Sequence, residues 1–221
     1  MQACEAIDAE VIAAQTSMEQ AKKEVSARLE IISKQNYPLK KLSNLIEIIG
    51  GGTPNTKKSE YWNGGIPWLS VADFNTGNRF VSSSEKTISE LGLNNSSTKY
   101  LQVGDLIISA RGTVGVVAQL AIPMTFNQSC YGLRGLEEVD NGYLYYVLKR
   151  EVAQFKDNAY GSTFGSITTK TFDSIKIAVP PIDVQLSIVS EIEQIETRIA
   201  AAQQIIDAAA SKKQAILKKY L

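Results

Sequence analysis

Apolar residues recur at intervals of three and four in a long stretch near the start of the chain, from about residue 3 to 35. The apolar or small positions of this seam are Ile7, Val11, Ala14, Met18, Ala21, Val25 and Ile32. This heptad spacing predicts one long helix that packs against another helix, with Arg28 interrupting the seam. Asn36-Tyr37-Pro38 ends it, because proline lacks a backbone N–H and disfavours helix at the preceding residue.

A second seam of the same spacing runs from about Ile182 to Leu221, after Pro180-Pro181. Its positions are Ile188, Ile192, Ile195, Ile199, Ala202, Ile206 and Ala209. Proline suits the start of a helix, and isoleucines in strict register are typical of a coiled coil. About 40 residues, each rising ~1.5 Å, would form a rod about 60 Å long.

The region between the seams, from about residue 39 to 181, is rich in Gly, Ser, Thr and Asn. Its candidate strands are Leu45–Ile49, Pro67–Ser70, Leu106–Ala110, Gly115–Gln119, Ser129–Leu133 and Ile175–Val179. Gly142–Phe155 has the apolar spacing of a helix. We therefore predict fold class α/β (α+β), with one mixed α/β domain over 37–181. Long spacer helices over 1–36 and 182–221 flank it.

The two helical stretches resemble each other. Ile7–Gln15 aligns with Ile195–Gln203 in the same heptad phase. Two Ala-rich helices can look alike by chance. Alternatively, the chain holds one globular domain and parts of two helices from a unit of helix plus domain that repeats.

Composition argues against catalysis. Lys plus Arg and Asp plus Glu number 23 each among 221 residues, so net charge does not indicate a nucleic-acid partner. The chain has no histidine, no Gly-Lys pair of a phosphate-binding loop and no Glu-x-Lys triplet of a metal-dependent nuclease. Its only Pro-Pro lacks the aromatic residue that follows it in amino-methyltransferases. We expect no catalytic residue, no cofactor and no metal site.

The sequence also predicts a cytoplasmic protein. Cys4 and Cys130 lie in different predicted elements without CxxC spacing, so reduced thiols are expected rather than a disulfide or zinc site. The first twenty residues are acidic and helical, unlike a signal peptide, and no apolar run is long enough to span a bilayer.

Several short motifs follow one another along the chain, and their order and spacing together are more specific than any one of them alone. They are Gly51-Gly52-Thr53-Pro54, Tyr61–Trp68, Gly104–Gly115, Asn127-Gln128, Gly161-Ser162-Thr163 through Ile175, Pro180-Pro181 and Gln185. Together they resemble one target-recognition domain, with its helices, of a type I restriction–modification specificity subunit. Val184 stands where that family usually has Glu. Family chains usually carry two recognition domains, so this chain resembles a half-subunit.

The resemblance implies a non-catalytic subunit that binds double-stranded DNA at a bipartite target. Its partners would be modification subunits, which carry S-adenosylmethionine and methylate adenine, and motor and nuclease subunits in addition. One alternative is the detached recognition region of a single-chain restriction–modification methyltransferase, which needs only one helix. Another is a coiled-coil adaptor without a DNA role, which would not need so large a loop-rich domain.

Candidate DNA contacts are the polar, basic and aromatic side chains of the predicted loops, because such groups bond phosphates and base edges. They are Thr53, Asn55, Lys57, Lys58, Tyr61, Trp62, Arg79, Arg111, Thr113, Gln128, Ser162, Thr163 and Lys170. Structural roles stay open for each group. Tyr61 and Trp62 could cap the core, Arg79 could lie in a plain turn, Arg111 could pin a loop, and Gln128 could bond buried backbone.

A homodimer follows from the half-subunit interpretation. Two copies about a two-fold axis would rebuild the two-domain object, with the helices bundled at its centre. The seam residues Ile188, Ile192, Ile195, Ile199 and Ile206 would form that contact. Identical domains would then read a palindromic split target. A single pair of helices could instead bury the seams on each other within one chain.

Overall fold

The computed structural model describes residues 2–158 and 165–217 of the chain. The helices are α1 (Gln2–Lys34), α2 (Val71–Phe74), α3 (Glu90–Asn94), α4 (Asn141–Asn158), α5 (Thr169–Ser174) and α6 (Ile182–Leu217). The strands are β1 (Leu39–Lys41), β2 (Ile46–Gly50), β3 (Trp62–Leu69), β4 (Phe80–Val81), β5 (Lys86–Ile88), β6 (Leu106–Ser109), β7 (Val117–Leu120), β8 (Thr125–Phe126), β9 (Cys130–Gly135) and β10 (Lys176–Ala178). Two compact units result, one of Met1–Gln35 with Ser187–Leu221 and one of Asn36–Leu186.

The first unit is an antiparallel pair of long helices. Ion pairs join α1 to α6 at Asp8–Lys213, Glu10–Lys212, Glu24–Arg198 and Arg28–Glu191. Early residues of α1 thus pair with late residues of α6, which fixes the antiparallel direction. The hydrogen bond from Arg198 to Glu24 raises the pKa of the Arg198 guanidinium. Both long helices predicted from the seams are confirmed over the described residues.

Most of the buried positions of this helix pair belong to the two predicted seams. On α1, the seam residues Ile7, Ala14, Ala21 and Ile32 are buried, and so is Leu29, which lies outside the predicted seam. On α6, Ile188, Ile192, Ala202 and Ala209 are buried, whereas Ile195, Ile199 and Ile206 are half-buried. The isoleucines predicted as the core of a dimer contact are therefore already largely covered within one chain. This is the alternative that the sequence left open.

Arg28 explains the interruption in the first seam. It is half-buried at a heptad position, and its guanidinium pairs with Glu191 while its Nε finds no partner among the described residues. The next residue, Leu29, takes the buried place. A polar residue at a seam position can fix the register of a helix pair at some cost in stability.

The second unit contains three sheets. A five-stranded sheet has the order β2-β9-β6-β7-β4 and is antiparallel except where β4 meets β7. A three-stranded sheet has the order β5-β3-β8, with β3 and β8 parallel. A separate antiparallel pair joins β1 and β10. This confirms the predicted mixed α/β domain.

One hydrophobic core joins the two larger sheets. Its buried side chains are Ile49, Leu69, Phe74, Val81, Leu101, Ile107, Ala118, Leu120, Met124, Phe126 and Cys130. Every residue of β6 and β7 is buried, as expected for apolar runs at the centre of a sheet. The tyrosines and leucines of α4, including Tyr143 and Leu144, are also buried.

The six predicted strands and the predicted helix α4 are observed. Most of their ends shift by one to three residues, but β3 begins at Trp62, five residues before the predicted start at Pro67. Four further strands, β1, β4, β5 and β8, were not predicted. Each has only two or three residues, which is too short for a period of two to show. β4 and β8 are fixed by parallel pairing with distant strands, which local pattern does not indicate.

Candidate nucleic-acid interface

The loop after β2 and the loop after β8 lie together in the second unit. The Gly52 N–H donates to the carbonyl of Phe126 over 2.9 Å. The Thr53 hydroxyl then donates to Oε1 of Gln128. Two predicted DNA contacts, Thr53 and Gln128, are thus brought side by side. Gln128 is exposed, so it bonds another loop rather than buried backbone.

Glycine makes this close approach possible. A Cβ on Gly51 would lie 2.1 Å from the carbonyl oxygen of Asn127, and one on Gly52 would lie 2.3 Å from the hydroxyl of Ser97. Gly51 and Gly52 are therefore positions of close approach at which a side chain would not fit. The loop that contains Ser97 was not predicted as functional. Its run of Asn, Ser, Thr and Lys was the signal available.

The turn between β6 and β7 presents Arg111 and Thr113. The hydroxyl of Ser109 donates to the carbonyl of Thr113 over 2.5 Å, and Gly112 and Gly115 adopt φ of 72° and 78°. Arg111 and Thr113 are exposed, and Arg111 forms no ion pair with any residue that the structure describes. Ser109 and the glycines hold the turn, which leaves the Arg111 guanidinium available.

Hydrogen bonds join this turn to its neighbours. The Ala110 N–H donates to the carbonyl of Ser129 over 2.8 Å, which connects the turn to the loop after β8. The Ile167 N–H donates to the carbonyl of Ala110 over 2.9 Å, which connects it to the segment before α5. We call the joined segments 51–62, 110–115, 127–129 and 165–170 the loop cluster.

The last segment of the loop cluster carries Lys170. It is exposed in the first turn of α5, and Thr168 caps that helix. Ser162 and Thr163, which are also predicted DNA contacts, lie outside the described residues.

The loop before β3 that carries Lys57 and Lys58, here called the basic loop, is held in shape by hydrogen bonds within it. The Asn55 side chain accepts the Lys57 N–H over 3.0 Å, and the Asn55 carbonyl accepts Nε1 of Trp62 over 3.3 Å. Lys58 donates to the hydroxyl of the buried Tyr61 over 3.0 Å, and this hydrogen bond raises the pKa of Lys58. The Lys58 ammonium group also lies over the Tyr61 ring. Asn55 and Tyr61 therefore shape the loop, while Lys57 and Lys58 are exposed.

Arg79 lies in a different setting. Its Nε donates to Gln119 over 2.9 Å, and Nη1 donates to the hydroxyl of Tyr146 over 3.0 Å. Its guanidinium also lies over the rings of Phe80, Tyr145 and Tyr146, 4.8 to 5.4 Å from their centroids. This half-buried side chain joins β4 to β7 and α4, so the plain surface turn weighed from the sequence does not describe it.

Gln185 of the motif after Pro180-Pro181 has a structural role. It is buried, and its side-chain amide donates to the carbonyls of Glu138 and Pro180 and accepts the Asp140 N–H, all within 2.9 Å. Each of these backbone groups would otherwise need another partner. The adjacent Val184, which departs from the family pattern, does not affect this arrangement.

Over residues 2–158 and 165–217, no cluster of three metal-ligating side chains is present. No helix within the same residues has the length and apolar character to cross a membrane. Cys130 is a free thiol, and its burial raises its pKa to about 12.

The mixed α/β domain and its loop cluster define a recognition domain that long helices flank in sequence, and comparison with known proteins agrees. Residues 34–210 match the type I restriction modification DNA specificity domain, so the chain belongs to this family. It is 31% identical over 157 residues to the type I restriction enzyme MjaIX specificity subunit of Methanocaldococcus jannaschii, covering 70% of this chain and 36% of that protein. It is 33% identical over 165 residues to the EcoR124I/EcoR124II specificity subunit of Escherichia coli, covering 72% and 40%.

Solved structures share the fold. The HsdS subunit from Thermoanaerobacter tengcongensis superposes with a TM-score of 0.74 at 21% identity, over 99% of this chain and 55% of that one. The type I restriction–modification S subunit from M. genitalium gives 0.63 at 13% identity, over 99% and 58%. The chain therefore spans little more than half the length of these subunits, and less than half of the curated relatives.

Proposed function

We propose that this chain is a specificity subunit that reads double-stranded DNA for a type I restriction–modification complex. The observation that carries the proposal is the loop cluster in a domain of the specificity family, which presents Lys57, Lys58, Arg111 and Gln128 to solvent. Cations of this kind bind phosphates, while amide and guanidinium groups can bond base edges. Residues 37–181 would form the recognition domain and the long helices its spacers.

Its partners would be modification subunits, which supply S-adenosylmethionine and methylate adenine, together with motor and nuclease subunits. The relatives are named as specificity subunits of type I restriction enzymes, which supports such an assembly. The chain itself would hold no cofactor and catalyse no step, and it would act on cellular DNA in the cytoplasm.

A mobility-shift assay tests this proposal. The chain is mixed with its modification subunits and a pool of random duplexes, and bound duplexes are sequenced. We expect enrichment of one split motif. Bound duplexes of random sequence, or no binding with a correctly assembled complex, would contradict the proposal.

We further propose that two copies assemble about a two-fold axis and read a palindromic split target. The stretch matched here is 55% to 58% of the solved specificity subunits, and two copies of it would carry two recognition domains. Because Ile188 and Ile192 are already buried in the chain, a second copy would meet the outer surface of the helix pair.

An apolar groove on the helix pair offers that surface. Glu10, Ala13, Ser17, Arg198, Ala201 and Ile205 are among the residues that line it. Its apolar lining is mostly alanine, which allows helices to approach closely, and Ile205 in the same lining is 43% exposed. A helix of the second copy would bury Ile205 in a four-helix bundle.

Light scattering of groove variants tests the homodimer. Ile195→Asp and Ile199→Asp would also disturb the contact within the chain, because both residues are half-buried. Ala13→Glu with Ile205→Glu avoids this, since both side chains line the groove and are exposed. We expect dimeric wild type, monomeric double variant and unchanged helix content. Ile12→Glu, exposed on α1 but outside the groove lining, is the matched control and should remain dimeric. A monomeric wild type would contradict the proposal.

A further inference from the structure

We propose that the polar loop Asn95–Lys99, between α3 and β6, is an additional DNA-contacting loop, and that Ser97 and Lys99 are the side chains that touch the duplex. The proposal rests on the proposed function, because it extends the DNA surface of the same domain. None of the motifs that indicated the family includes this loop.

One side of the loop is anchored beside the end of β8. The Thr98 hydroxyl donates to the carbonyl of Phe126 over 2.8 Å and accepts the Phe126 N–H over 3.2 Å. Leu101 and Met124 form an antiparallel bridge just beyond. The chain from residue 98 to 101 therefore runs antiparallel to β8, and its start lies level with the residues that lead into Gln128.

The other side of the loop touches the first segment of the loop cluster, 51–62. Ser97 lies so close to Gly52 that any Cβ there would meet its hydroxyl. The preceding helix α3 packs against the far end of the same segment, since Gly92 meets the carbonyl of Tyr61 in the same manner and the Ser89 N–H donates to that carbonyl over 3.0 Å. The loop and α3 thus follow the segment that carries Thr53, Lys57 and Lys58 at both of its ends.

The polar side chains of the loop include two groups, those that cap α3 and those that are exposed with no described partner. Asn95 Nδ2 donates to the carbonyl of Leu91 over 2.9 Å, and the Ser96 hydroxyl contacts the carbonyl of Leu93 at 3.4 Å, so both cap the end of α3. Ser97 and Lys99 are exposed and have no hydrogen bond or ion pair to any described side chain.

The hydroxyl of Ser97 and the ammonium group of Lys99 are chemically suited to bind DNA. A hydroxyl and an ammonium group bond phosphate oxygens, and each bound cation releases counterions from the duplex. With Lys57, Lys58 and Arg111, Lys99 would extend the cationic surface of the loop cluster around Thr53 and Gln128. Lys99 would act on affinity at all sequences, and Ser97, beside Gly52, would add a hydroxyl contact.

The test measures how the Kd of the assembled complex for its target duplex depends on salt. Each phosphate contact contributes about 0.9 to the slope of log K against log salt. We expect Lys99→Ala to lower the magnitude of that slope by about one, and Lys99→Glu to weaken binding further. Lys41→Ala and Lys41→Glu are matched controls, since Lys41 is exposed on β1 in the separate two-stranded sheet.

The possible outcomes distinguish a failure of the proposed DNA contact at Lys99 from a failure of the proposed function as a specificity subunit. If the wild-type complex selects a motif and the Lys99 variants keep its slope, the loop does not touch DNA, although the subunit still reads it. If the Lys41 variants change the slope as much as the Lys99 variants, the effect is general charge and the proposal is also overturned. If the wild-type complex selects no motif, the proposed function itself fails. Circular dichroism of both exposed-site variants should match the wild type.

Discussion

Arg111 and Arg79 have the same charge and stand in polar loops of the same domain, yet their surroundings differ completely. Arg111 extends from a turn that Ser109 and two glycines hold, and it forms no ion pair with the described residues. Arg79 is held by Gln119, Tyr146 and aromatic rings. An exposed cation on a loop is thus a stronger candidate for a DNA contact than one that the fold half-buries and holds from several sides.

The largest effect is expected on stability, when Arg79, which the fold holds from several sides, is replaced. Arg79→Ala removes two hydrogen bonds from a charged group and three ring contacts, and should lower the free energy of unfolding by about 3 kcal/mol. Urea denaturation measures this as a lower midpoint at constant m. Arg79→Lys keeps the charge but not the planar fork, and should also destabilise. Unchanged stability in both variants would show that Arg79 does not hold α4.

Arg111→Ala should weaken DNA binding and leave the stability of the fold nearly unchanged. Its unfolding free energy should stay within about 0.5 kcal/mol of wild type, because an exposed side chain without an ion pair contributes little. Binding to the target should weaken by about 1–3 kcal/mol if the guanidinium bonds a base edge, with selectivity lost at one position. Sequencing of bound duplexes reveals that position. Unaltered affinity and motif would remove Arg111 from the DNA surface.

The smallest effect concerns the basic loop. Lys57→Ala with Lys58→Ala should weaken binding equally at target and random duplexes, and should flatten the slope of log K against log salt by about one for each lysine that binds a phosphate. Fluorescence anisotropy at several salt concentrations measures it. Lys149→Ala, exposed on α4 beside Tyr145, serves as the control and should leave the slope unchanged. An identical slope in the double variant would place the loop away from DNA.

The sequence predicted the parts of the fold that repeat. The isoleucines of α6 and the small residues of α1 keep one spacing for many turns, so two long helices follow from the pattern, although it left open whether their seams meet within one chain or between two copies. The apolar runs Leu106–Ala110 and Gly115–Gln119 predicted strands, and these form β6 and β7 inside the five-stranded sheet. β4 and β8 could not be predicted, because they exist only through pairing with β7 and β3.

The candidate site, too, could be predicted only in part from the sequence. Glycine spacing and polar composition indicated the loops of Thr53, Arg111 and Gln128, but not which side chains remain free. Arg79 bonds Tyr146 across 67 positions, and no local pattern indicates such a contact. The loop of Lys99 was missed because its neighbours, Gly52 and Phe126, are also distant in the chain.

The most direct test of the central claim is methylome sequencing of cells that contain the modification subunits, with and without this chain. We predict that adenine methylation appears at one split motif only when the chain is present, with half-sites that repeat in opposite orientation. The Arg111→Ala chain should alter that motif at one position. Methylation of the same motif without the chain, or no defined motif with it, would contradict the claim that this chain selects the DNA sequence.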